Sequence, residues 1–217
     1  MDERVRVILI GGTSNVGKST VAAAIGARLG WGVTSTDRLA RYPGRPWAVA
    51  PEVVKPHVVE HYLTLDDAAL VEGQLAHYRN MWPIIETLIR DHTAGGPEPL
   101  VLEGSGVWPE RVAGLDLPAV AAVWLTGSPE LIEARIHRES RYAEADATGR
   151  RLIDRFVVRS QGYDRAMMAA VRQLGLPFVE VTPTTTVEGL VGQCLASMLP
   201  FNGELGGRAV AGKTGID

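Results

Sequence analysis

Short apolar runs alternate along this chain with longer segments of helical periodicity. The runs predict five strands, at residues 5–10, 32–35, 100–102, 119–125 and 178–181. Each run ends at a polar or glycine-rich turn. Because short apolar strands separated by helices are typical of a parallel sheet covered on both faces, we predict an α/β fold of three layers. In such folds ligands bind beyond the carboxyl ends of the strands.

The apolar spacing between the strands predicts the helices. Val21, Ile25 and Leu29 form one stripe of a helix that Gly30 ends, and Ser128-Pro129 has the cap and first-turn proline of a helix start. Further helices are predicted at 52–62, 66–91, with a possible kink at Pro83, and 187–198. We predict one domain, 1–200, that contains a helical insertion at 38–99 and a lid region at 135–165, followed by a flexible tail at 201–217.

Composition narrows the class of protein. The chain has 217 residues, 46% of them hydrophobic and 22% charged, as in an ordinary globular domain. A net charge of −3 disfavours a general nucleic-acid binder. The single cysteine, Cys194, excludes a disulfide scaffold and is expected to be a core residue. The N-terminus lacks the form of a signal peptide and no run spans a membrane, so we expect a cytoplasmic protein, monomeric or homodimeric, with neither nucleic-acid nor membrane partners.

The strongest motif follows the first strand. Residues 12–19 match the pattern G-x-x-x-x-G-K-S, between a predicted strand and a predicted helix. Backbone N–H groups of such a loop surround phosphate, the lysine contacts the β- and γ-phosphates, and the hydroxyl binds Mg²⁺. The predicted nucleotide-binding residues here are Gly12, Thr13, Ser14, Asn15, Val16, Gly17, Lys18, Ser19 and Thr20.

The tail repeats this pattern without its setting. Residues 207–214 also match G-x-x-x-x-G-K-T, but no strand precedes them and the printed sequence leaves three residues for a helix. We therefore reject this second match as a phosphate site. The setting of strand, loop and helix is what makes residues 12–19 specific.

Two acids end neighbouring predicted strands. Asp37 could take a proton from a substrate hydroxyl or hold Mg²⁺ through water, and its alternative role is a helix cap. Glu103 is placed to coordinate the metal or orient water, unless it belongs to an incidental turn. Arg38 and Arg41 could clamp an anionic substrate or be surface charges, and Gly104 would let substrate approach the backbone.

Arginines outnumber acids in the lid region. Arg135, Arg138 and Arg141 recur at three-residue spacing, and Arg151, Arg155 and Arg159 at four-residue spacing. Guanidinium groups stabilise the charge of a transferring phosphoryl group, and a lid excludes competing water. The interspersed acids also allow an ion-paired surface. We expect at least one of these arginines to reach nucleotide.

Taken together, GGTSNVGKST, STDRLAR and LVLEGSGVWP resemble the P-loop small-molecule kinases, a group with shikimate, gluconate and nucleoside monophosphate kinases. The likeness is greatest to 2-phosphoglycerate kinase-like proteins and covers roughly residues 5–199. It implies a sheet of order 2-3-1-4-5, an insertion that holds the phosphate acceptor, and ATP with Mg²⁺.

The resemblance also implies individual roles. Asp37 would contact the acceptor hydroxyl, Arg135 would stack on adenine with Pro183 and Thr184 near its other face, and Arg138 and Arg141 would meet phosphates. The arginine spacing departs from that of monophosphate kinases, and the lid pattern of gluconate kinases is absent.

These residues predict an ATP-dependent kinase that phosphorylates a hydroxyl of a small anionic metabolite. Lys18, Asp37, Glu103 and Arg138 are its predicted catalytic residues, and Ser19, Asp37 and Glu103 its metal ligands. The alternatives are a nucleoside monophosphate kinase and a nucleotide-binding regulator that has no acceptor.

Overall fold

A computed structural model describes residues 5–39, 42–47, 53–96 and 98–198. Five parallel strands form one sheet in the order β2-β3-β1-β4-β5, as the resemblance implied. The strands are β1 (Val7–Gly12), β2 (Gly32–Ser35), β3 (Leu100–Glu103), β4 (Val120–Gly127) and β5 (Phe178–Val181). Three of them run one or two residues further than their apolar runs predicted, since the paired backbone continues into the polar turns.

Among the described residues, six α-helices lie between strands and a seventh follows β5. They are α1 (Lys18–Leu29), α2 (Pro56–Thr64), α3 (Asp67–Thr93), α4 (Pro109–Ala113), α5 (Pro129–Ser140), α6 (Ala147–Gln173) and α7 (Val187–Ser197). The first turn of α2 begins at Pro56 rather than at 52, because a proline that lacks an N–H suits the start of a helix. Helix α3 runs on through Pro83.

The three central strands, β1, β3 and β4, are buried on both faces, which explains their continuous apolar runs. The edge strands β2 and β5 are partly exposed. On one face, Val7 and Leu9 of β1 pack with residues of α3 and α6, such as Ile85 and Met167. On the other, Ile8 and Ile10 pack with residues of α1 and α7. Side chains alternate between the faces of a strand, so a strand covered twice must be apolar at each position.

Cys194 lies in this second core, as its place in the helical pattern predicted. Burial raises the pKa of its thiol to about 12. It is therefore an apolar packing group at neutral pH.

A third core joins the insertion to the predicted lid region. Tyr62 of α2 and Leu70 of α3 pack with Ile136 of α5 and Phe156 of α6. The arginine-rich segment thus forms two packed helices, joined by a short 3₁₀ turn at Tyr142–Glu144. The predicted tail lies outside the described residues. No helix among those described is both long and apolar enough to cross a membrane.

Candidate functional site

A cleft of about 1140 Å³ opens at the carboxyl ends of the strands. Its walls come from the loop after β1, the turn after β2, the insertion, α5 and α6. Predicted site residues that line it are Ser14, Asn15, Gly17, Lys18, Ser19, Thr20, Asp37, Glu103, Arg135 and Arg138. The topology therefore brings together residues that lie more than 100 positions apart in the sequence.

The loop between β1 and α1 has the closed form that phosphate binding requires. Gly12 has a φ of +147°, and a Cβ there would lie 2.7 Å from the carbonyl oxygen of Leu125. Gly17, with a φ of +112°, precedes the first residue of α1. Two left-handed or strained positions in one short loop explain why glycine stands at both ends of the motif.

Lys18 folds back across this loop. Its Nζ donates to the carbonyl oxygen of Thr13 at 2.6 Å, and the residue is 8% exposed. Burial lowers the pKa of Lys18, while the charges of Glu103 and Asp37 oppose that shift. The ammonium group is thus held beside two carboxylates at the position where β- and γ-phosphates would enter.

Neighbouring elements fix the loop from outside. Thr13 Oγ1 donates to the carbonyl oxygen of Ser160 in α6 at 2.8 Å, and Ser105 Oγ donates to that of Gly12 at 2.9 Å. Arg135 Nη1 donates to the carbonyl oxygen of Val16 at 2.8 Å. The first bond anchors a loop side chain to α6 and the other two occupy carbonyls of the loop, so the loop is preorganised. The guanidinium of Arg135, for which the resemblance implied adenine stacking, lies here against the loop backbone.

The oxygens of Ser19 and Glu103 form a pair that suits magnesium. Ser19 Oγ donates to Glu103 Oε1 at 3.0 Å, and Glu103 is 4% exposed at the end of β3. A hydroxyl and a carboxylate are ligands that Mg²⁺ prefers, with phosphate oxygens and water completing its shell. Among the described residues no group of three or more His, Cys, Asp or Glu is arranged to hold a metal ion. The donor set therefore fits an ion that is shared with a phosphate ligand.

Asp37 projects from the turn after β2 into the same cleft. The alternative role for it was a helix cap, but Ser35 takes that role, because its Oγ accepts the N–H of Asp37 at 3.3 Å. The Asp37 carboxylate is exposed and has no hydrogen bond to a described residue. It is free to meet a ligand.

A glycine after β3 allows the two acid-bearing turns to approach. Gly104 has a φ of +147°, and a Cβ there would lie 1.9 Å from Oγ1 of Thr36. Gly106 N–H also donates to that oxygen at 3.4 Å. Thr36 fills the space over Gly104, which is not among the residues that line the cleft. The structure thus gives Gly104 a packing role, where the sequence suggested substrate contact.

The far end of the cleft holds a buried arginine. Arg159 is 4% exposed, and its guanidinium carbon lies 4.5 Å from the ring centroid of Phe156 and 5.3 Å from that of Tyr62. Its Nη1 donates to the carbonyl oxygen of Tyr42 at 3.4 Å, and its Nε is buried without a partner. Within the described part of the chain it forms no ion pair. Burial lowers the pKa of nearby His61, and the charge of Arg159 lowers it further.

Sequence reasoning placed Arg159 in a stripe of arginines but gave it no role of its own. The neighbours Leu152, Phe156 and Tyr163 supplied a usable signal, since all are buried and lie on the same face of α6 as Arg159. Arg155, four residues earlier, instead contacts the insertion through Asp67 and the carbonyl oxygen of Tyr62. Within the stripe of arginines, Arg155 thus binds the insertion, whereas Arg159 lines the cleft.

The remaining predicted residues fall in different places. Arg38 is exposed and Arg141 sits at the exposed end of α5, where it lies 3.9 Å from Glu144, and neither lines the cleft. Arg41 lies outside the described residues. Pro183 and Thr184 lie in the turn after β5, between the lining residues Val181 and Thr185.

Neither a protein-family model nor a curated protein matches the sequence. Solved structures do. A sugar kinase from Janibacter sp. has a TM-score of 0.52 at 16% identity, over 89% of this chain and 94% of its own. A gluconokinase from Sinorhizobium meliloti has a TM-score of 0.49 at 18% identity, over 88% of this chain and 90% of its own. A shikimate kinase from Aquifex aeolicus has a TM-score of 0.49 at 15% identity, over 88% of this chain and 95% of its own.

The similarity to the Janibacter structure, with the sheet order and the loop at residues 12–19, defines the architecture. The chain has the P-loop kinase fold. At these identities the comparison gives the fold alone.

Proposed function

We propose that this protein is a kinase that transfers the γ-phosphoryl group of ATP to a hydroxyl of a small anionic metabolite. One observation carries the proposal: a single cleft is lined by Lys18, Glu103 and Asp37 and by a buried arginine, Arg159, that packs against the insertion. Its volume, about 1140 Å³, suffices for a nucleotide and a small acceptor together. The Janibacter structure, which is described as a sugar kinase, agrees with this function.

The part of the cleft formed by the loop at residues 12–19 and by Glu103, which we call the phosphate end, would position the phosphates and neutralise their charge. Loop N–H groups and Lys18 would hold the β- and γ-phosphates, and Ser19 and Glu103 would hold Mg²⁺. When bound, the ion would neutralise charge on the phosphate oxygens. Arg138 lines the cleft and is exposed, so it can turn toward the same phosphates. We place adenine near Arg135 and the turn at Pro183 and Thr184.

Asp37 stands where the acceptor hydroxyl would react. The hydroxyl oxygen forms a bond to the γ-phosphorus while the bond to the β,γ-bridging oxygen breaks, and Asp37 takes the hydroxyl proton. A loose, metaphosphate-like transition state needs little base strength. Orienting the hydroxyl is therefore the larger part of what Asp37 does.

The part of the cleft that Arg159, Lys55 and His57 line, which we call the acceptor end, favours an anionic substrate. Arg159 has no counter-charge among the described residues, and Lys55 and His57 line the same cleft. A buried guanidinium that lacks a carboxylate partner is costly, and a carboxylate or phosphate on the acceptor would provide that partner. A phosphorylated hydroxy acid of the 2-phosphoglycerate type fits this description.

A panel of acceptors tests the proposal. Purified protein with Mg²⁺ and ATP is given phosphorylated hydroxy acids, sugar acids, shikimate-like alcohols, nucleoside monophosphates and neutral sugars. ADP release is followed by a coupled assay and the product by ³¹P NMR. We expect an anionic alcohol, and no neutral one, to stimulate ADP release and gain phosphate. Acceptor-independent, slow ADP release would instead establish a regulator, and exclusive use of nucleotides a monophosphate kinase.

The variant Asp37→Asn tests the chemistry with the best acceptor found. We expect kcat to fall about 10²-fold while the Kd for nucleotide is retained, because the hydroxyl loses its orienting carboxylate. Asp91→Asn makes the same change at an exposed position near the end of α3 and serves as the control. An unchanged kcat in Asp37→Asn would remove Asp37 from the reaction.

A further inference from the structure

Glu139 links three parts of the cleft through one carboxylate. It lies in the last turn of α5 and lines the cleft. Its Oε2 accepts a hydrogen bond from Nδ2 of Asn15 in the phosphate loop. Its Oε1 accepts one from Nη1 of Arg45, in the segment 42–47 of the insertion. The loop, the insertion and α5 are thus joined at a single side chain.

Arg45 is held close to the place where phosphates would bind. It lines the cleft and is near enough to Lys18 that its charge adds to the lowering of the Lys18 pKa, of which burial is the main cause. Two cations that repel each other across a cleft favour the entry of a polyanion between them. The only anion that Arg45 meets among the described residues is Glu139.

The pair between Arg45 and Glu139 is suited to exchange. The two side chains are 48% and 38% exposed, so solvent screens their attraction and the pair is weak. A guanidinium binds carboxylate and phosphate oxygens with the same geometry, and a triphosphate carries more charge than one carboxylate. A bound nucleotide can therefore outcompete Glu139 for Arg45.

We propose that Arg45 is a phosphate-binding residue which Glu139 holds aside until ATP enters the cleft. The proposal rests on the proposed function in so far as ATP is the ligand of the loop. It assigns an arginine of the insertion to the nucleotide phosphates, a role that the sequence predicted for no residue of the insertion. It also makes Glu139 a positioning residue that tunes nucleotide affinity.

The variant Glu139→Gln removes the negative charge of this side chain while it keeps nearly the same size and shape. A glutamine can still accept the hydrogen bond of Asn15, but it no longer attracts the Arg45 guanidinium strongly. We expect the Kd for a non-hydrolysable ATP analogue with Mg²⁺, measured by calorimetry, to fall about two- to fivefold, the range that an exposed ion pair supports. Arg45→Ala should raise that Kd.

The decisive measurement is the coupling between the two positions. Removing a negative charge near phosphates favours the ligand by itself, so Glu139→Gln is also made in the Arg45→Ala background. We expect a smaller improvement in that background, because no guanidinium is left to release. Glu133→Gln, on the same helix but outside the cleft lining, controls for the change in net charge.

Several results would overturn the proposal. An equal gain from Glu139→Gln in both backgrounds would show that Arg45 does not change partners. Weaker nucleotide binding by a folded Glu139→Gln variant, checked by its Tm, would make Glu139 a support of the loop. Nucleotide binding without coupling defeats this proposal alone, whereas a wild-type protein that binds no nucleotide defeats the proposed function as well.

Discussion

The two ends of the cleft differ in how their charged groups are satisfied. At the phosphate end, Lys18 donates to the carbonyl oxygen of Thr13 and Ser19 donates to Glu103, so each group has a protein partner. At the acceptor end, Arg159 is surrounded by aromatic rings and has no counter-charge among the described residues. Lys18 and Ser19 are thus hydrogen-bonded within the protein, whereas Arg159 lacks a charged partner in the ranges that the structure describes.

This difference reflects what builds each end. The phosphate end is shaped by backbone, through glycines at positive φ and loop carbonyls that accept hydrogen bonds from Ser105 and from Arg135 of α5. The acceptor end is shaped by side chains from the insertion and α6, which meet only in the folded chain. A backbone site suits a ligand common to many proteins, whereas a side-chain site suits a particular one.

The largest effect is expected at the phosphate end. In Lys18→Ala the β- and γ-phosphates lose their buried cation, and we expect kcat to fall on the order of 10³-fold. The fold should persist, because the loop glycines and the bonds to its carbonyls remain. The coupled assay measures the loss, and far-UV circular dichroism checks the fold.

The chain supplies a matched control for this variant. Lys213 occupies the same place in the tail match to the motif, which we rejected because it lacks a preceding strand. Lys213→Ala should therefore leave turnover unchanged. Comparable losses in the two variants would mean that sequence pattern, and not the setting of strand and helix, defines the site.

The phosphate end was also the part that could be predicted from sequence. The motif at residues 12–19 predicts the form of the loop, and the apolar patterns before and after it predict a strand and a helix. Burial on both faces makes the three central strands continuous apolar runs, and all five strands were predicted to within about two residues. Their order came from the resemblance, since strand pairing is not visible in a local pattern.

The sequence did not single out the arginines that line the cleft beside the insertion, for a physical reason. Arg38 and Arg41 were chosen because they follow Asp37 in sequence, yet the short 3₁₀ turn at Thr36–Arg38 leaves Arg38 exposed outside the cleft. Arg45 and Arg159 instead reach the cleft through the path of the insertion and the packing of α6. The path of the insertion and the packing of α6 depend on contacts between residues distant in sequence. Hydrophobic periodicity within one segment does not predict such contacts.

A second prediction tests whether the acceptor end is incomplete without its ligand. In Arg159→Met the anionic acceptor loses its partner, and we expect its kcat/KM to fall about 10²-fold with little change in the Kd for nucleotide. The Tm of the ligand-free protein should rise, because a buried charge without a counter-charge opposes folding. Steady-state kinetics and thermal unfolding give both values.

Arg151→Met removes the same charge from an exposed position on the same helix and should change neither quantity appreciably. A lower Tm for Arg159→Met would show that the guanidinium supports the core through its contacts with Phe156 and Tyr62. An unchanged kcat/KM would separate Arg159 from the acceptor.

The smallest effect is expected behind the phosphate loop, at a carboxyl group that neither end uses. Asp164 of α6 is buried; its Oδ2 accepts from Oγ1 of Thr126 at 2.8 Å, and its Oδ1 has no partner. Burial raises the pKa of Asp164 from 3.8 to about 6, against the hydrogen bond of Thr126 and the charges of Arg172, Lys18 and Arg165. The folded state therefore binds this proton more tightly than the unfolded chain.

Because the pKa of Asp164 is higher in the folded protein than in the unfolded chain, the protein is expected to lose stability as the pH rises. Stability from the Asp164 proton is fully present below pH 3.8 and is lost as the pH rises through about 6. Asp164→Asn lacks this titration. Between pH 4 and pH 7 the unfolding free energy of the wild type, measured by urea denaturation without nucleotide, should fall relative to the variant by roughly 2 kcal/mol. A constant difference would mean that Asp164 is ionised throughout this range, because the charges of Lys18, Arg172 and Arg165 then outweigh the effect of burial.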